Sequence, residues 1–164
     1  MRLNEYLIDH AGLDWGDLLS SWAWLLPSEL TVWLMSRFGD LFCVLEDGSV
    51  RMLDVGQGTF ERVADNRDEC ARRIDEDGNA RDWLMIPLVD ELVARGVVLG
   101  AGECYSYAQL PILGGDYAFA NVRVAAVEAH YKGLGPIHEK LKGIPDGTRV
   151  RLRVGEQPDA EAGD

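Results

Sequence analysis

Residues 99–141 read LGAGECYSYAQLPILGGDYAFANVRVAAVEAHYKGLGPIHEKL, and no other run of the chain carries as much topological information. Leu113-Gly114-Gly115-Asp116-Tyr117 lies between two apolar segments. Paired glycines take positive φ without a Cβ clash and Asp tolerates the same region, so the five residues predict a turn. Asn121 to Val127 alternates as a half-buried strand does. His130, Leu134, Ile137 and Leu141 then recur at spacings of three and four, which predicts a helix with one apolar face. The order is strand, turn, strand, helix.

The upstream sequence extends this pattern. Leu41 to Leu45 and Val50 to Asp54 flank Glu46-Asp47-Gly48-Ser49, and Asp-Gly suits the positive φ of a hairpin turn. Thr31 to Met35 precedes them as a further strand, and Thr59 to Val63 follows after a turn at Val55-Gly56-Gln57-Gly58. That glycine pair lacks the lysine of a phosphate loop and the third glycine of a dinucleotide fingerprint. An antiparallel meander with helix packed on one face is the natural arrangement.

Three helical segments flank the strands. Trp15, Leu18, Leu19, Trp22, Leu25 and Leu26 form one stripe that predicts a helix from Asp14 to Leu26, capped by Asp14 and stopped by Pro27. Asp65 to Glu76 predicts a charged helix with Cys70 and Ile74 on its buried edge. Asn79 to Arg95 predicts another, burying Trp83, Ile86, Leu88, Leu92 and Val93, with a kink or break at Pro87 and Gly96 past its end. After a turn at Pro145-Asp146-Gly147, Thr148 to Val154 alternates strictly as a last strand, and the nine residues from Glu156 form an acidic tail. The expected architecture is a single α+β domain over residues 1–155, an antiparallel meander with packed helices, followed by the tail 156–164.

Composition bounds the function. The 164 residues carry a formal net charge of −12. Residues 1–100 hold 19 acids and 9 bases, residues 101–155 hold 5 and 7, and the last nine residues add four acids. Nucleic-acid binders need basic faces for phosphate, so a direct nucleic-acid partner is not expected. An acidic chain steers basic partners instead. No apolar run approaches the ~18 residues of a membrane span, and the first residues do not read as a secretory signal. Cys43, Cys70 and Cys104 make no CxxC pair and read as free thiols in a reducing cytoplasm.

Catalytic patterns are missing. His10, His130 and His138 stand in no metal-binding spacing, and eight residues along one helix turn His130 and His138 apart by about 80°. No serine sits in a nucleophile elbow. Neither a catalytic set, a metal site nor a cofactor is expected. Glu103, Tyr105, His130 and His138 remain as residues that could converge in a pocket between the C-terminal strands and helix. The densest charge cluster is Asp65, Asp68, Glu69, Asp75, Glu76, Asp77 and Asp82, and it predicts an acidic surface for a basic partner.

Trp24-Leu25-Leu26-Pro27, Arg37-Phe38-Gly39-Asp40-Leu41-Phe42, Met52-Leu53-Asp54-Val55-Gly56 and Asp82-Trp83-Leu84 form the first half of an ordered set of words. Gly102-Glu103-Cys104-Tyr105-Ser106-Tyr107, Leu113 to Tyr117, Asn121-Val122, Ile137-His138-Glu139 with Leu141, and Pro145-Asp146-Gly147 complete it. From Trp15 to Val154 the chain resembles the C-terminal domain of immunity proteins that protect type VI secretion bacteria from their own DNase effectors. The resemblance implies a small cytoplasmic α+β domain that binds and blocks a basic toxin nuclease without chemistry. The alternative is a cytoplasmic adaptor or small-ligand-sensing domain of the same architecture with no toxin partner. The resemblance also implies an unbroken helix ahead of His138-Glu139, whereas Gly133-Leu134-Gly135-Pro136 predicts an irregular one.

Overall fold

The computed structural model describes residues 2–144. The turn at 145–147, the strand at 148–154, the domain limit at 155 and the acidic tail lie outside them.

The first segment departs from the sequence expectation. The predicted helix over 14–26 is two short pieces, α1 (Trp15–Leu18) and a 3-10 turn (Ser20–Trp22). Asp14 does cap α1, its carboxylate accepting the Asp17 N–H at 3.1 Å. Gly16, Ser20 and Ser21 are weak helix formers, and tertiary contacts claim the tryptophans. The Trp22 and Trp24 indole N–H groups donate to the Tyr131 and Gly135 carbonyls at 3.0 and 3.1 Å.

The strands follow the predicted order. β1 (Leu30–Met35), β2 (Leu41–Leu45), β3 (Val50–Asp54) and β4 (Thr59–Ala64) form an antiparallel meander in sequence order. The pairing of β1 with β2 shifts between Val32 and Leu34, and that of β3 with β4 shifts at Val50 and Arg51. β5 (Glu103–Tyr107) and β6 (Val122–Ala126) pair as a separate antiparallel ribbon.

Helix covers both faces of the meander, not one. Phe42, Val50 and Ala64 pack with Cys70, Ile74, Ala80, Leu84, Leu88 and Leu92. Met35, Leu41, Cys43 and Leu53 pack on the other side with Leu18, Trp22, Val127, Tyr131 and Leu134. The period of two along β2, with Leu41 and Cys43 on one side and Phe42 on the other, is why a strand with both faces buried reads as a continuous apolar run.

α2 (Arg67–Ile74) is capped by Asn66, whose side chain accepts the Glu69 N–H at 2.8 Å. The 79–95 segment divides into α3 (Asn79–Trp83) and α4 (Ile86–Ala94). The break falls at Met85, in the left-handed region, so Pro87 sits in the first turn of α4, where its missing N–H costs nothing. Leu88 and Leu92 are buried, Trp83 and Ile86 half-buried, and Val93 is exposed.

α5 (Val127–Leu141) is one unbroken helix with Pro136 inside it, so the irregularity expected from Gly133 to Pro136 is not there. Pro136 removes one backbone hydrogen bond, at a cost of ~3 kcal/mol in a regular interior. Burial of Val127, Tyr131, Leu134 and Leu141 opposes that cost. Gly135 lets the helix lie against Ser21, whose carbonyl oxygen would be 2.5 Å from an added Cβ. Cys43, Cys70 and Cys104 are buried free thiols. Burial pushes Cys43 and Cys104 up to about 12 and Cys70 to about 11.

Candidate functional site

Both the β1–β2 turn and the β3–β4 turn fall at the same end of the meander, because antiparallel strands reverse at alternating ends. α5 clasps that end. The His130 ring nitrogens lie 3.1 Å from the Phe38 carbonyl and 3.1 Å from the Ser106 hydroxyl. A carbonyl only accepts, so Nε2 carries the proton and donates to Phe38, leaving Nδ1 to accept from Ser106. The Tyr131 hydroxyl donates to the Gly39 carbonyl. About two turns of helix further on, His138 Nε2 donates to the Val55 carbonyl at 2.7 Å.

The glycines of the two turns make this approach possible. Gly39 and Gly58 have φ of +80° and +72°. An added Cβ would stand 2.7 Å from His130 Nε2 at Gly39 and 2.5 Å from His138 Nδ1 at Gly58. Burial holds both imidazoles neutral, lowering His130 to about 4 and His138 below the ordinary histidine range.

Asp40 ties the two turns together. It is 5% exposed, and its Oδ1 accepts the Val55 N–H at 2.9 Å. Asp54 folds its own turn by accepting the Gly56 and Gln57 N–H groups, both at 3.0 Å. Burial raises the carboxyl of Asp40 well above the usual range, with the charge of Asp54 adding to the rise and the Val55 N–H opposing it. Burial also raises Asp54, against its two N–H donors.

Beside this clasp, between the meander and α3–α4, lies a cleft of about 580 Å³. Asp40, Asp54, Glu61, Asp82 and Glu91 give it an acidic lining opposed by Arg81, and Trp83, Tyr107 and Tyr117 line it with rings. Tyr117 is held at the rim by the loop between β5 and β6. Asn121 pins that loop by donating to the Gln109 and Asp116 carbonyls, both at 2.9 Å, and the Tyr117 hydroxyl accepts from Gln57 at 2.8 Å.

The residues that the sequence grouped as a pocket do not form one. Glu103 accepts the Gly100 N–H at 2.7 Å, the Tyr105 hydroxyl donates to the Val97 carbonyl at 2.6 Å, and the histidines clasp different turns. None of the four lines the cleft. Strand alternation turns Tyr105 into the core formed with Phe38, and the rotation along α5 sends the histidines to separate turns. His10 lies outside this end, 3.0 Å from the Trp33 carbonyl. Among the described residues, no group of three or more His, Cys, Asp and Glu is placed to hold a metal ion.

Of the acidic cluster, Asp65 pairs with Arg62 at 2.7 Å, Glu69 with Arg73 at 2.8 Å and Glu76 with Arg72 at 3.5 Å. Asp68, Asp75, Asp77 and Asp82 are exposed and make no ion pair among the described residues. Asp82 lines the cleft. Sequence reasoning missed Asp40, Asp54, Glu61 and Glu91 as its neighbours. The one available signal was the pair of words Phe38-Gly39-Asp40 and Asp54-Val55-Gly56, each an acid beside a glycine turn.

Residues 64–138 match the model of a family described as T6SS immunity protein Tdi1, C-terminal. The matched stretch begins at the last residue of β4 and ends within α5, so it contains α2, α3, α4, both strands of the ribbon and both clasping histidines. Over it the chain resembles this type VI secretion immunity family. The words at 24–27, 37–42 and 52–56 precede the match, and the word at 145–147 follows it. No curated protein matches the chain.

Proposed function

We propose that this chain is an immunity protein that binds and neutralises a cognate type VI secretion effector by occupying its surface, without chemistry. The observation that carries the reading is the match of residues 64–138 to the immunity family. The effector proposed is a DNase. Such an enzyme presents a basic cleft to phosphate, and an acidic inhibitor can fill or cover it. A formal charge of −12 suits that partner, and close charge pairs across such an interface couple by about 1.5–7 kcal/mol. The proposed contact face is α2 with the turn after it. The pairs of Asp65 with Arg62 and of Glu76 with Arg72 are exposed and worth only ~0–1 kcal/mol each, which leaves those carboxylates available. We place the encounter in the cytoplasm. Among the described residues, no helix is long and apolar enough to cross a membrane.

The test is co-purification of the tagged chain from its host at low and at high salt. Recovery of a basic nuclease that dissociates with salt supports the reading, and joint charge reversal at Asp68, Glu69, Asp75 and Glu76 then weakens the complex. The same nuclease held without salt dependence retains immunity and discards the acidic face. No nuclease, with the effector gene expressed, refutes immunity and favours the ligand-sensing alternative, for which the cleft is the supporting observation.

A further inference from the structure

The cleft beside the clasp has the volume of a small-ligand site, about 580 Å³. Two kinds of group meet in its wall. Asp40, Asp54, Glu61 and Asp82 bring carboxylates, while Trp83, Tyr107 and Tyr117 bring aromatic rings. Arg81 is the only cation among the described residues that line it. Rings beside carboxylates form an environment suited to cations, since ring faces attract positive charge and exclude competing water.

Asp40 adds an observation independent of the acid count. It is 5% exposed, and one of its oxygens takes the Val55 N–H. The other has no hydrogen-bond partner among the described residues and opens onto the cleft. The side chain is largely withdrawn from water with Asp54 beside it, its free oxygen keeps access through the cleft, and no cation pairs with it among the described residues. Met85, also in the wall, is held at φ +52°. Side chains rarely adopt that region, and such strain gathers at ligand sites.

We propose that the cleft binds an organic cation, a guanidinium or primary ammonium group on a flexible stem. The unpartnered oxygen of Asp40 accepts from the head group, Glu61 and Asp82 supply further negative charge, and the rings flank the stem. The site stands without the effector reading, because it is tested on the isolated chain.

The test is calorimetric titration of the full chain with agmatine, which carries both head groups, and with uncharged 1,4-butanediol. A blocked peptide with a single arginine forms a parallel arm. Saturable binding of a cationic probe, absent for the diol and weakened by salt, is expected. Asp40→Asn retains the acceptor for Val55 and lowers affinity about tenfold or more, as loss of a charged hydrogen-bond partner does. Glu61→Gln, on the exposed side of β4, lowers affinity while leaving the melting temperature unchanged. Tighter agmatine than peptide assigns the site to a free small molecule, and the reverse assigns it to a basic side chain presented by a partner. No saturable binding of either cation at millimolar concentration, or unchanged affinity in both variants, overturns the proposal.

Discussion

His130 gives a measurable link between the clasp and pH. Its ring is fully enclosed, with Nε2 donating to Phe38 and Nδ1 accepting from Ser106, and burial lowers it from 6.5 to about 4. The unfolded chain therefore binds a proton near pH 6 that the folded chain refuses. The stabilising contribution is fully present above the unfolded pKa and is lost as pH falls toward the folded one. At 1.36 kcal/mol per pKa unit, the loss between about pH 7.5 and 5.5 is ~1.3 kcal/mol, rising to ~2.5 kcal/mol by about pH 4.5. Other groups titrate in the same window, so the quantity to measure is a difference. Urea unfolding followed by tryptophan fluorescence, on the natural chain and on His130→Gln at the three pH values, isolates it. The variant is less stable at neutral pH, and the gap to the natural chain narrows by those amounts on acidification. A gap independent of pH would refute the account of His130 as a buried neutral latch.

Other substitutions separate packing from propensity. Gly133→Ala adds a Cβ with nothing within 4 Å, whereas Gly135→Ala meets the Ser21 carbonyl oxygen at 2.5 Å. Urea midpoints should rise for Gly133→Ala by the equivalent of ~1 kcal/mol, the helical preference of Ala over Gly. They should fall for Gly135→Ala by ~1–3 kcal/mol, the usual range for overpacking. Asp40→Asn should raise the melting temperature at neutral pH. Burial raises the Asp40 carboxyl, so its contribution to stability is present in acid and is lost as pH rises through its folded pKa, while an Asn oxygen still accepts from Val55. The advantage of the variant should disappear in acid. Cys43, Cys70 and Cys104 should resist a thiol reagent in the native protein and react together on denaturation, since all three are buried and held as thiols. Fast labelling of native protein would contradict their burial.

Much of the fold was legible because local chemistry specified it. Glu46 to Ser49 had to turn around Asp47-Gly48, and Leu41 to Leu45 had to be a strand, although its burial on both faces was not expected. Some of the words that carry the resemblance sit at turns, as Arg37 to Phe42 and Met52 to Gly56 do. The candidate site was less legible. Asp82 belonged to the acidic cluster, but nothing local placed it across a cleft from Asp40 and Asp54.

What the sequence by itself determined is the succession of elements and the charge. What only the tertiary structure decided is where local preference gave way. The stripe from Trp15 to Leu26 breaks because Trp22 and Trp24 donate to α5 carbonyls. Pro136 stays inside α5 because the face around it is buried. His130 and His138, two residues that could have done chemistry, instead fasten Phe38 and Val55. Hydrogen bonds over sequence separations of 83 to 111 residues carry these outcomes. A spacing pattern reports only neighbours within a turn or two, so it has no access to partners that the folded chain alone brings together.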